Sequence, residues 1–254
     1  MALDAHYETP QYFLREESYD GHHQYFYTPA DFPGTLPLEE NWKTIRDEVL
    51  ENLTDEEIDG IKNLNPPYLS SPDAWKNIYL YNFGWKKHKN CKRFPRTHAL
   101  IKQVPNLTFA GITVLEPHAR VLPHNGETNT IIRCHLGLRI PAPHPICGVR
   151  VGDEEQGWEN GKITMFSDAH YHTAWNDSDE RRFVLVFDIV RPEYAYMQHR
   201  VCANVLGALS LKYLYSKKPS LKKMPYSIIR TVHFFFSAFW YLYLPLQNRF
   251  SILP

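Results

Sequence analysis

Cysteine is scarce in this chain of 254 residues, and the four cysteines include no C-x-x-C pair. Cys91, Cys134, Cys147 and Cys202 are too few and too dispersed for a disulfide scaffold, so we expect reduced thiols and a cytoplasmic location. Charged residues interrupt the apolar runs near the start of the sequence. We therefore expect no secretory signal peptide in that region.

The sequence also lacks a βαβ alternation, an internal repeat and a glycine-rich phosphate loop. These absences argue against a parallel α/β sheet, a repeat architecture and a phosphate-loop nucleotide site. Apolar residues make up 43% of the chain and aromatic residues 14%, which is typical of a folded protein. The formal net charge is zero, and we expect no nucleic-acid partner.

Acidic residues are absent after Glu193, although the same stretch holds eight bases. Residues 1–193 therefore hold 20 bases and all 28 acids, a net charge of −8. The apolar run from Thr231 to Leu246 is 16 residues long, which is short for a membrane-spanning helix. Its aromatic residues and the lysines before it favour an interfacial helix on an anionic membrane surface. Packing of this tail on the rest of the protein is the alternative. We predict from the first interpretation that a chain ending near Tyr196 keeps its fold and loses binding to anionic vesicles. If the tail packs on the rest of the protein, the shortened chain aggregates or loses stability instead.

Hydrophobic periodicity predicts helices first and strands later. Helices are expected over residues 41–59 and 96–103, with a break at Pro66, Pro67 and Pro72 and a strand over 77–83 between them. Short β-rich runs then predict an all-β sandwich or jelly roll, with strands at 107–115, 130–140, 147–151, 161–166 and 181–190. We predict a mainly β jelly-roll domain over residues 1–198, with N-terminal helices, followed by a basic, aromatic helical tail over 199–254.

The stretch LPHNGETNTIIRCHLGL, residues 122–138, places two histidines and an arginine at and after a polar turn. Residues two apart on a strand share a face, so Arg133, His135 and Gly137 point one way, and the apolar residues between them point to the core. A permanent cation beside an imidazole suits an anionic ligand better than packing.

His172 lies forty-eight residues after His124, and Arg182 follows ten residues later at the head of a predicted strand. Two histidines from separate strands, with arginines within reach, suit a transition metal and a carboxylate-bearing cosubstrate. The chain has thirteen histidines, which makes accidental pairs common. Structural or surface histidines are therefore the alternative.

Three blocks of sequence carry a resemblance to known proteins: PHNGETNTIIRCHLGL at 123–138, GWENGKITMFSDAHYHTAW at 157–175 and RFVLVFDIVRPE at 182–193. In this order they resemble the aspartyl/asparaginyl β-hydroxylase family of Fe(II)/2-oxoglutarate-dependent dioxygenases, to which bacterial lipid A hydroxylases are related. The resemblance covers roughly residues 75–193. It implies a double-stranded β-helix, which is consistent with the predicted jelly roll. It also implies hydroxylation of an unactivated C–H bond with Fe(II), 2-oxoglutarate and O₂.

The resemblance assigns roles residue by residue. His124 and His172 are similar to the two iron ligands of the family. Arg182 is similar to the residue that binds the distal carboxylate of 2-oxoglutarate. These three are the expected catalytic residues.

Four more residues are expected at the cosubstrate. Arg133 and His135 resemble further contacts to 2-oxoglutarate. Thr113 and Leu115 fall where the family lines the same pocket.

Gly126 departs from the wider superfamily, which usually has a carboxylate ligand two residues after the first histidine. The hydroxylases that act on epidermal-growth-factor-like domains share this glycine, and water is thought to take the vacant coordination site. Bacterial lipid A hydroxylases tend to carry an acid there, so Gly126 favours the protein-hydroxylase subgroup. We expect the side chain of Glu127 to point away from the face that its neighbours use.

His170 and Asp168 have more than one interpretation. His170 and His172 form an H-x-H pair, which cupins also use for metal, although no glutamate follows at the cupin spacing. Asp168 is either a turn residue or a partner that orients a histidine.

The substrate stays open on sequence grounds. The family implies an aspartyl or asparaginyl residue of a protein, an acyl chain of a membrane lipid, or a free or carrier-bound amino acid. Membrane association favours the lipid, whereas Gly126 favours the protein. A cytoplasmic location counts against disulfide-rich secreted targets. A non-catalytic jelly roll that binds metal or carboxylate as a sensor is the remaining alternative. We predict a cytoplasmic hydroxylase at the periphery of an anionic membrane, with an aspartyl/asparaginyl substrate as first choice.

Overall fold

The computed structural model describes residues 8–15, 17–61 and 74–251, and the expected break at Pro66, Pro67 and Pro72 lies outside them. The strands are β1 (Phe26–Tyr27), β2 (Trp75–Asn82), β3 (Trp85–Lys86), β4 (Leu107–Leu115), β5 (Ala119–His124), β6 (Ile131–Arg139), β7 (Cys147–Val151), β8 (Glu154–Gln156), β9 (Ile163–Ser167), β10 (His172–Asn176) and β11 (Arg182–Val190). The α-helices are α1 (Leu36–Glu40), α2 (Trp42–Asn52), α3 (Asp55–Asp59), α4 (His88–Arg93), α5 (Pro95–Ile101), α6 (Gln198–Lys217) and α7 (Tyr226–Phe250).

Two antiparallel sheets form the predicted jelly roll. The large sheet has the strand order β1-β9-β6-β11-β4-β2-β3, and the small sheet has the order β5-β10-β7-β8. The five predicted strands from residue 107 onward are confirmed to within two residues as β4, β6, β7, β9 and β11. The periodicity did not predict β5, because only Ala119 and Val121 of this short strand are buried and Pro123 interrupts the pattern.

The helix predicted over residues 41–59 is two helices. It is interrupted at Leu53–Thr54, where Thr54 begins α3 with a capping box. The Thr54 hydroxyl accepts a hydrogen bond from the Glu57 amide, and the Glu57 carboxylate accepts one from the Thr54 amide. Both bonds satisfy backbone amides at the start of α3. A threonine side chain that bonds to nearby amides favours the start of a helix over its interior, and the chain therefore begins a new helix here.

One face of the large sheet, the outer face, packs against the N-terminal helices. Ile132, Cys134 and Leu136 of β6 are buried there, in one apolar cluster with Ile45 and Val49 of α2. This confirms the predicted core side of β6. The side chains between them point to the opposite, inner face, where the cavity described below lies.

The inner face has two covers. The small sheet covers one part, where Val149 and Val151 of β7 pack with Phe166 of β9. Helix α6 covers another part, where its buried Val205 and Leu206 belong to one cluster with residues of β4 and β11. Three walls therefore meet around one cavity: the large sheet, the small sheet and the C-terminal helical region.

The tail consists of α6 and α7, which are joined by the basic segment around Pro219–Lys223 and pack against each other. Their close approach requires Gly207, since a Cβ atom there would lie 2.4 Å from the Ser237 hydroxyl. Helix α6 is largely buried, as the packing alternative predicts, whereas α7 keeps many apolar side chains exposed. Within the ranges that the structure describes, neither helix has the length and hydropathy to cross a membrane.

Candidate active site

The cavity between the sheets is lined by the residues that the sequence singled out and by several others. Arg133, His135, Arg182 and Thr113 project from the large sheet, and His124 and His172 from the small sheet. Apolar side chains complete the lining: Trp75, Tyr79, Phe83, Phe109, Val121, Val149, Phe166, Ala174, Val186 and Leu209. The cavity therefore has a polar region with imidazoles and cations, and an apolar lining around it.

His124 and His172 face each other across the β5–β10 pair. They are register partners, and their ring centroids are 4.3 Å apart. The Nδ1 atom of His124 bonds to the Leu122 carbonyl at 2.8 Å, and that of His172 bonds to the His170 carbonyl at 2.9 Å. A carbonyl oxygen only accepts, so Nδ1 carries the proton of each neutral ring and Nε2 carries the lone pair.

Burial keeps both rings neutral. It lowers the pKa of His124 to about 4, and it lowers the pKa of His172 well below its ordinary value, with a further contribution from His124. A neutral imidazole with an Nε2 lone pair, oriented through Nδ1 by a backbone carbonyl, is a common arrangement for a metal ligand. The geometry thus brings together the two predicted ligands in a form that suits a metal.

Asp168 occupies the space beside Gly126. The Gly126 amide donates to the Asp168 carbonyl at 2.7 Å, and a Cβ atom at position 126 would lie 1.8 Å from Asp168 Oδ2. Asp168 Oδ1 is 3.6 Å from His172 Nε2, and burial raises the pKa of this carboxyl to about 7. Asp168 is therefore both a turn residue and a neighbour of His172, although the His170 carbonyl orients the ring.

No third protein ligand completes a metal site in the part of the chain that the structure describes. No group of three or more histidine, cysteine, aspartate or glutamate side chains is placed there to hold an ion. A metal at this position would have the two imidazoles as protein ligands.

Arg133 is engaged by two carboxylates. It donates two hydrogen bonds to Asp188, at 2.8 and 2.9 Å, and its Nη1 atom lies 2.7 Å from Asp168 Oδ1. Burial alone would lower the pKa of Arg133, but the two carboxylates outweigh it and raise the pKa. The guanidinium lines the cavity as predicted, yet its charge is already balanced, so its contact with a cosubstrate stays a prediction.

Arg182 is a buried cation without such compensation. Its side chain is almost wholly buried, and its guanidinium lies 4.5 Å from the centre of the Trp158 ring. Among the described residues no carboxylate pairs with it, and its Nε atom has no hydrogen-bond partner. Burial lowers the pKa of Arg182 to about 10. An uncompensated buried charge is costly, so this position is suited to an anionic ligand.

Other polar atoms in the cavity also lack partners. The Thr113 hydroxyl and both polar side-chain atoms of Asn77 are buried without a hydrogen bond to any residue that the structure describes, and the two residues are neighbours across β4 and β2. Native proteins rarely leave such groups unsatisfied, so a polar ligand is expected here. Asn77 was missed by the sequence reasoning, and its only signal is a polar residue on the inner face of β2.

His135 has the opposite tautomer from His124. Trp158 Nε1 donates to His135 Nδ1 at 3.2 Å, and the neutral ring therefore carries its proton on Nε2. Burial lowers the pKa of His135 well below its ordinary value, and Arg182 contributes to the same shift. His135 can thus donate a hydrogen bond to an anion. Trp158 was quoted within a family block but received no role from the sequence.

Two expectations need correction. The side chain of Leu115 packs in the apolar cluster between the sheets, with Trp158 and Phe166, and it is not part of the cavity wall. The cause is its position at the end of β4, where the two sheets pack together and bury the side chain completely. Glu127 does not point away, because this residue is part of the cavity lining and its carboxylate pairs with Lys212 of α6 at 3.0 Å.

His170 lies outside the cavity. Its Nε2 atom bonds to the His23 carbonyl at 2.7 Å, and its ring contacts Tyr19 and Tyr25. It precedes β10, so it does not share a strand face with His172. The structure therefore brings together His124 and His172 and does not support the H-x-H alternative.

These features define a jelly-roll protein with a two-histidine site beside a cationic, partly unsatisfied cavity. The aspartyl/asparaginyl beta-hydroxylase family matches residues 39–192, more than half of the chain. The chain belongs to this family.

Curated relatives are consistent with this membership. An ornithine lipid ester-linked acyl 2-hydroxylase of Rhizobium tropici is 34% identical over 169 residues, which are 65% of this chain and 60% of that protein. The aspartyl/asparaginyl beta-hydroxylase of Homo sapiens is 33% identical over 171 residues, which are 64% of this chain and 22% of that protein. The matches thus span less than two thirds of either relative. A solved viral collagen prolyl hydroxylase of Paramecium bursaria Chlorella virus 1 is 8% identical with a TM-score of 0.38, over 58% of this chain and 90% of that one.

Proposed function

We propose that this protein is a 2-oxoglutarate-dependent dioxygenase that hydroxylates an unactivated C–H bond with Fe(II) and O₂. The observation that carries the proposal is Arg182, a buried guanidinium that no carboxylate among the described residues pairs with, in the same cavity as two neutral histidines. A dicarboxylate that also contacts a metal would compensate the cation and use the imidazoles together. Family membership supports the same chemistry.

His124 and His172 would hold the metal through their Nε2 atoms. Their donor set fits, because both rings are neutral, oriented by carbonyls and adjacent. Fe(II) with 2-oxoglutarate, when bound, supplies the oxidant for the hydroxylation. The role of this chain's residues is to hold the reactants and to keep water away from them.

Arg182 would bind the distal carboxylate of 2-oxoglutarate through charged hydrogen bonds, for which its planar fork is suited. Thr113 would donate its unsatisfied hydroxyl, and His135 its Nε2 proton, to oxygens of the same cosubstrate. Arg133 is retained as a further contact, with Asp188 and Asp168 fixing its position. Leu115 belongs to the same apolar cluster as Phe166, which is part of the cavity wall, and would support that wall by packing.

An aspartyl or asparaginyl residue of a protein is the first proposed substrate, in keeping with the family and with Gly126. A membrane-lipid acyl chain is the second candidate. The specific observation in its favour is the apolar part of the cavity, where Phe83, Phe109, Val186 and Leu209 lie. The name of the Rhizobium tropici relative agrees with this candidate. The two substrates differ in where the oxygen appears, so mass spectrometry of peptide and lipid fractions distinguishes them.

Cytoplasmic location and contact of residues 199–254 with an anionic membrane also belong to the proposal. The absence of acidic residues after Glu193 supports this contact. The division of the sequence into a domain over 1–198 and a tail over 199–254 is retained as a description of sequence character. Helix α6 begins at Gln198, one residue before the tail of this division.

Arg182→Met tests the function. The change keeps the apolar stem and removes the uncompensated charge, so the ligand-free protein should melt at the same temperature or higher. Binding of 2-oxoglutarate in the presence of Fe(II) should weaken about ten- to hundredfold, because a charged hydrogen bond contributes about 1.5–3 kcal/mol. Calorimetry and succinate formation measure both effects.

Arg181→Met is the matched control. Arg181 is the preceding residue, and it pairs with Glu116, Asp55 and Asp59. Its replacement should reduce stability and leave cosubstrate binding unchanged. If Arg182→Met binds 2-oxoglutarate like the unaltered protein, Arg182 is not the anchor. If the unaltered protein binds the cosubstrate but forms no succinate with any substrate fraction, the result favours the alternative of a non-catalytic jelly roll that binds metal or carboxylate as a sensor.

A further inference from the structure

Helix α7 has two opposite faces. Ile229, Ser237, Leu244 and Gln247 form its buried face, which is turned toward the protein. Five apolar residues lie on the other side of the helix at spacings of seven, four, three and four, which one helical face brings together. We name them the outer stripe: Ile228, Phe235, Phe239, Leu242 and Leu246, which are between 43% and 71% exposed.

The outer stripe is long and continuous. Its first and last residues, Ile228 and Leu246, are about 27 Å apart along the helix at the rise of an α-helix. A contiguous apolar surface of this kind is uncommon on a protein that has no partner, and it marks an interaction site. The packing of α6 and α7 leaves this face exposed among the residues that the structure describes, so this is the side of the helix that is accessible to a partner.

The charges around the stripe indicate the partner. Exposed bases precede α7 at Lys217, Lys218 and Lys223, and Arg230 and Arg249 lie near its two ends. No acidic residue occurs anywhere from Tyr194 to the end of the sequence. A second copy of the chain would place this positive region against itself across a symmetric interface, which is unfavourable. An anionic lipid surface offers both the negative charge and the apolar layer.

We infer that α7 docks on an anionic lipid surface through the outer stripe, lying along the interface with its basic ends at the headgroups. This inference rests on the proposed membrane association and assigns it to one helix face. It also has a consequence for the cavity. Asn248 of α7 accepts a hydrogen bond from the Lys86 amide and donates one to the Gly84 carbonyl, next to Phe83 on the cavity wall.

Docking would therefore hold the cavity at a defined position relative to the lipid. Helix α7 is bonded to the turn that carries Phe83, and it packs on α6, which contributes Leu209 to the same wall. The docking face and the cavity belong to one packed unit. A substrate at the membrane, whether a lipid or a membrane-bound protein, would then reach the cavity without a long tether.

The test is co-sedimentation of the whole chain with vesicles of phosphatidylcholine alone or mixed with phosphatidylglycerol. The unaltered protein should bind the mixed vesicles, with weaker binding at high salt. Phe235→Ser and Leu242→Ser should each weaken this binding about tenfold, because each removes a large exposed apolar side chain from the contact. Neither residue is buried, so the thermal melting temperature should stay the same.

A matched pair of isoleucines provides the control. Ile228 on the outer stripe is 43% exposed, and Ile146, in the jelly-roll domain before β7, is 44% exposed. Ile228→Ser should weaken vesicle binding, whereas Ile146→Ser should not. Equal effects of the two changes would overturn the assignment to α7. So would retained binding in the Phe235→Ser/Leu242→Ser double variant.

Sedimentation of the protein without vesicles tests whether a second copy of the chain, rather than lipid, binds the outer stripe. If the chain is a dimer that Phe235→Ser converts to a monomer, and vesicles do not bind, the stripe is an interface between copies and the inference is wrong. Succinate formation separates this result from the proposed function. The stripe variants should keep cosubstrate turnover in solution, and a chain without any turnover would contradict the enzyme proposal while leaving the docking result valid.

Discussion

Gly126→Ala tests the arrangement at the centre of the site. The new Cβ atom would lie 1.8 Å from Asp168 Oδ2 and 2.5 Å from its Cγ atom, so the carboxylate has to move. Overpacking of this kind costs about 1–3 kcal/mol. The movement also removes Asp168 from Arg133, a charged contact of 2.7 Å whose loss costs about 1.5–3 kcal/mol. Gly126 has no positive φ, so backbone strain adds nothing.

The alanine also restricts the unfolded chain, which offsets about 0.4–1 kcal/mol of this cost. We expect a net loss of about 1.5–5.5 kcal/mol, a large part of the 5–15 kcal/mol that is typical of folded proteins. Urea unfolding of the ligand-free protein measures the loss. The double variant Gly126→Ala/Asp168→Ala should lose less than the sum of the single variants, because the smaller side chain removes the clash.

Gly60→Ala is the control for this prediction. Gly60 ends α3 with an ordinary helical φ, and a Cβ atom there would lie 3.5 Å from its nearest neighbours, the carbonyls of Glu56 and Glu57. The substitution should be neutral or slightly stabilising. If Gly126→Ala unfolds at the same urea concentration as the unaltered protein, the carboxylate does not occupy the space beside residue 126, and the explanation of the glycine fails.

Three further outcomes are expected from the wall that α6 contributes. Lys212→Met should destabilise the protein by about 1.5–3 kcal/mol by leaving the Glu127 carboxylate without its partner, and Glu127→Gln in the same chain should restore part of the loss, as urea unfolding would show. Leu209→Ala should leave binding of Fe(II) and 2-oxoglutarate intact and change which hydroxylated products mass spectrometry detects; an unchanged product profile would exclude Leu209 from the substrate region. A chain ending at Tyr196 should aggregate or melt early, because it uncovers Phe109 and its neighbours on the inner face. A soluble truncated chain with an unchanged melting temperature would instead restore the first sequence interpretation of the tail.

Local pattern was sufficient for much of the fold. Alternation of polar and apolar residues predicts β6 and its two faces, since each side chain of a strand is assigned to a face by position alone. The resemblance of the three sequence blocks to the family, rather than their spacing, assigned roles to His124, His172 and Arg182, and the structure places these three in one cavity. The tail's charge is a property of composition, so the sequence alone establishes it.

Pairings between distant positions required the tertiary structure. Asp168 lies beside Gly126 only because the turns before β6 and β10 meet, and no local signal shows which side chain occupies the space of a missing one. The tautomer of His135 depends on a hydrogen bond from Trp158, and the fate of Leu115 depends on the packing between sheets. Periodicity reports how a segment divides its faces, but not which partner covers each face.

The tail shows most clearly the difference between what the sequence determined and what the tertiary structure decided. Its sequence determined that it is basic, aromatic and too short in its apolar run to span a membrane, and it left open whether the tail packs or binds lipid. The structure divides these roles between α6, which is buried on the inner face, and α7, whose outer stripe stays exposed. Helices rich in apolar residues on all sides carry no marker of which face the core takes, because that choice depends on the shape of the surface they meet.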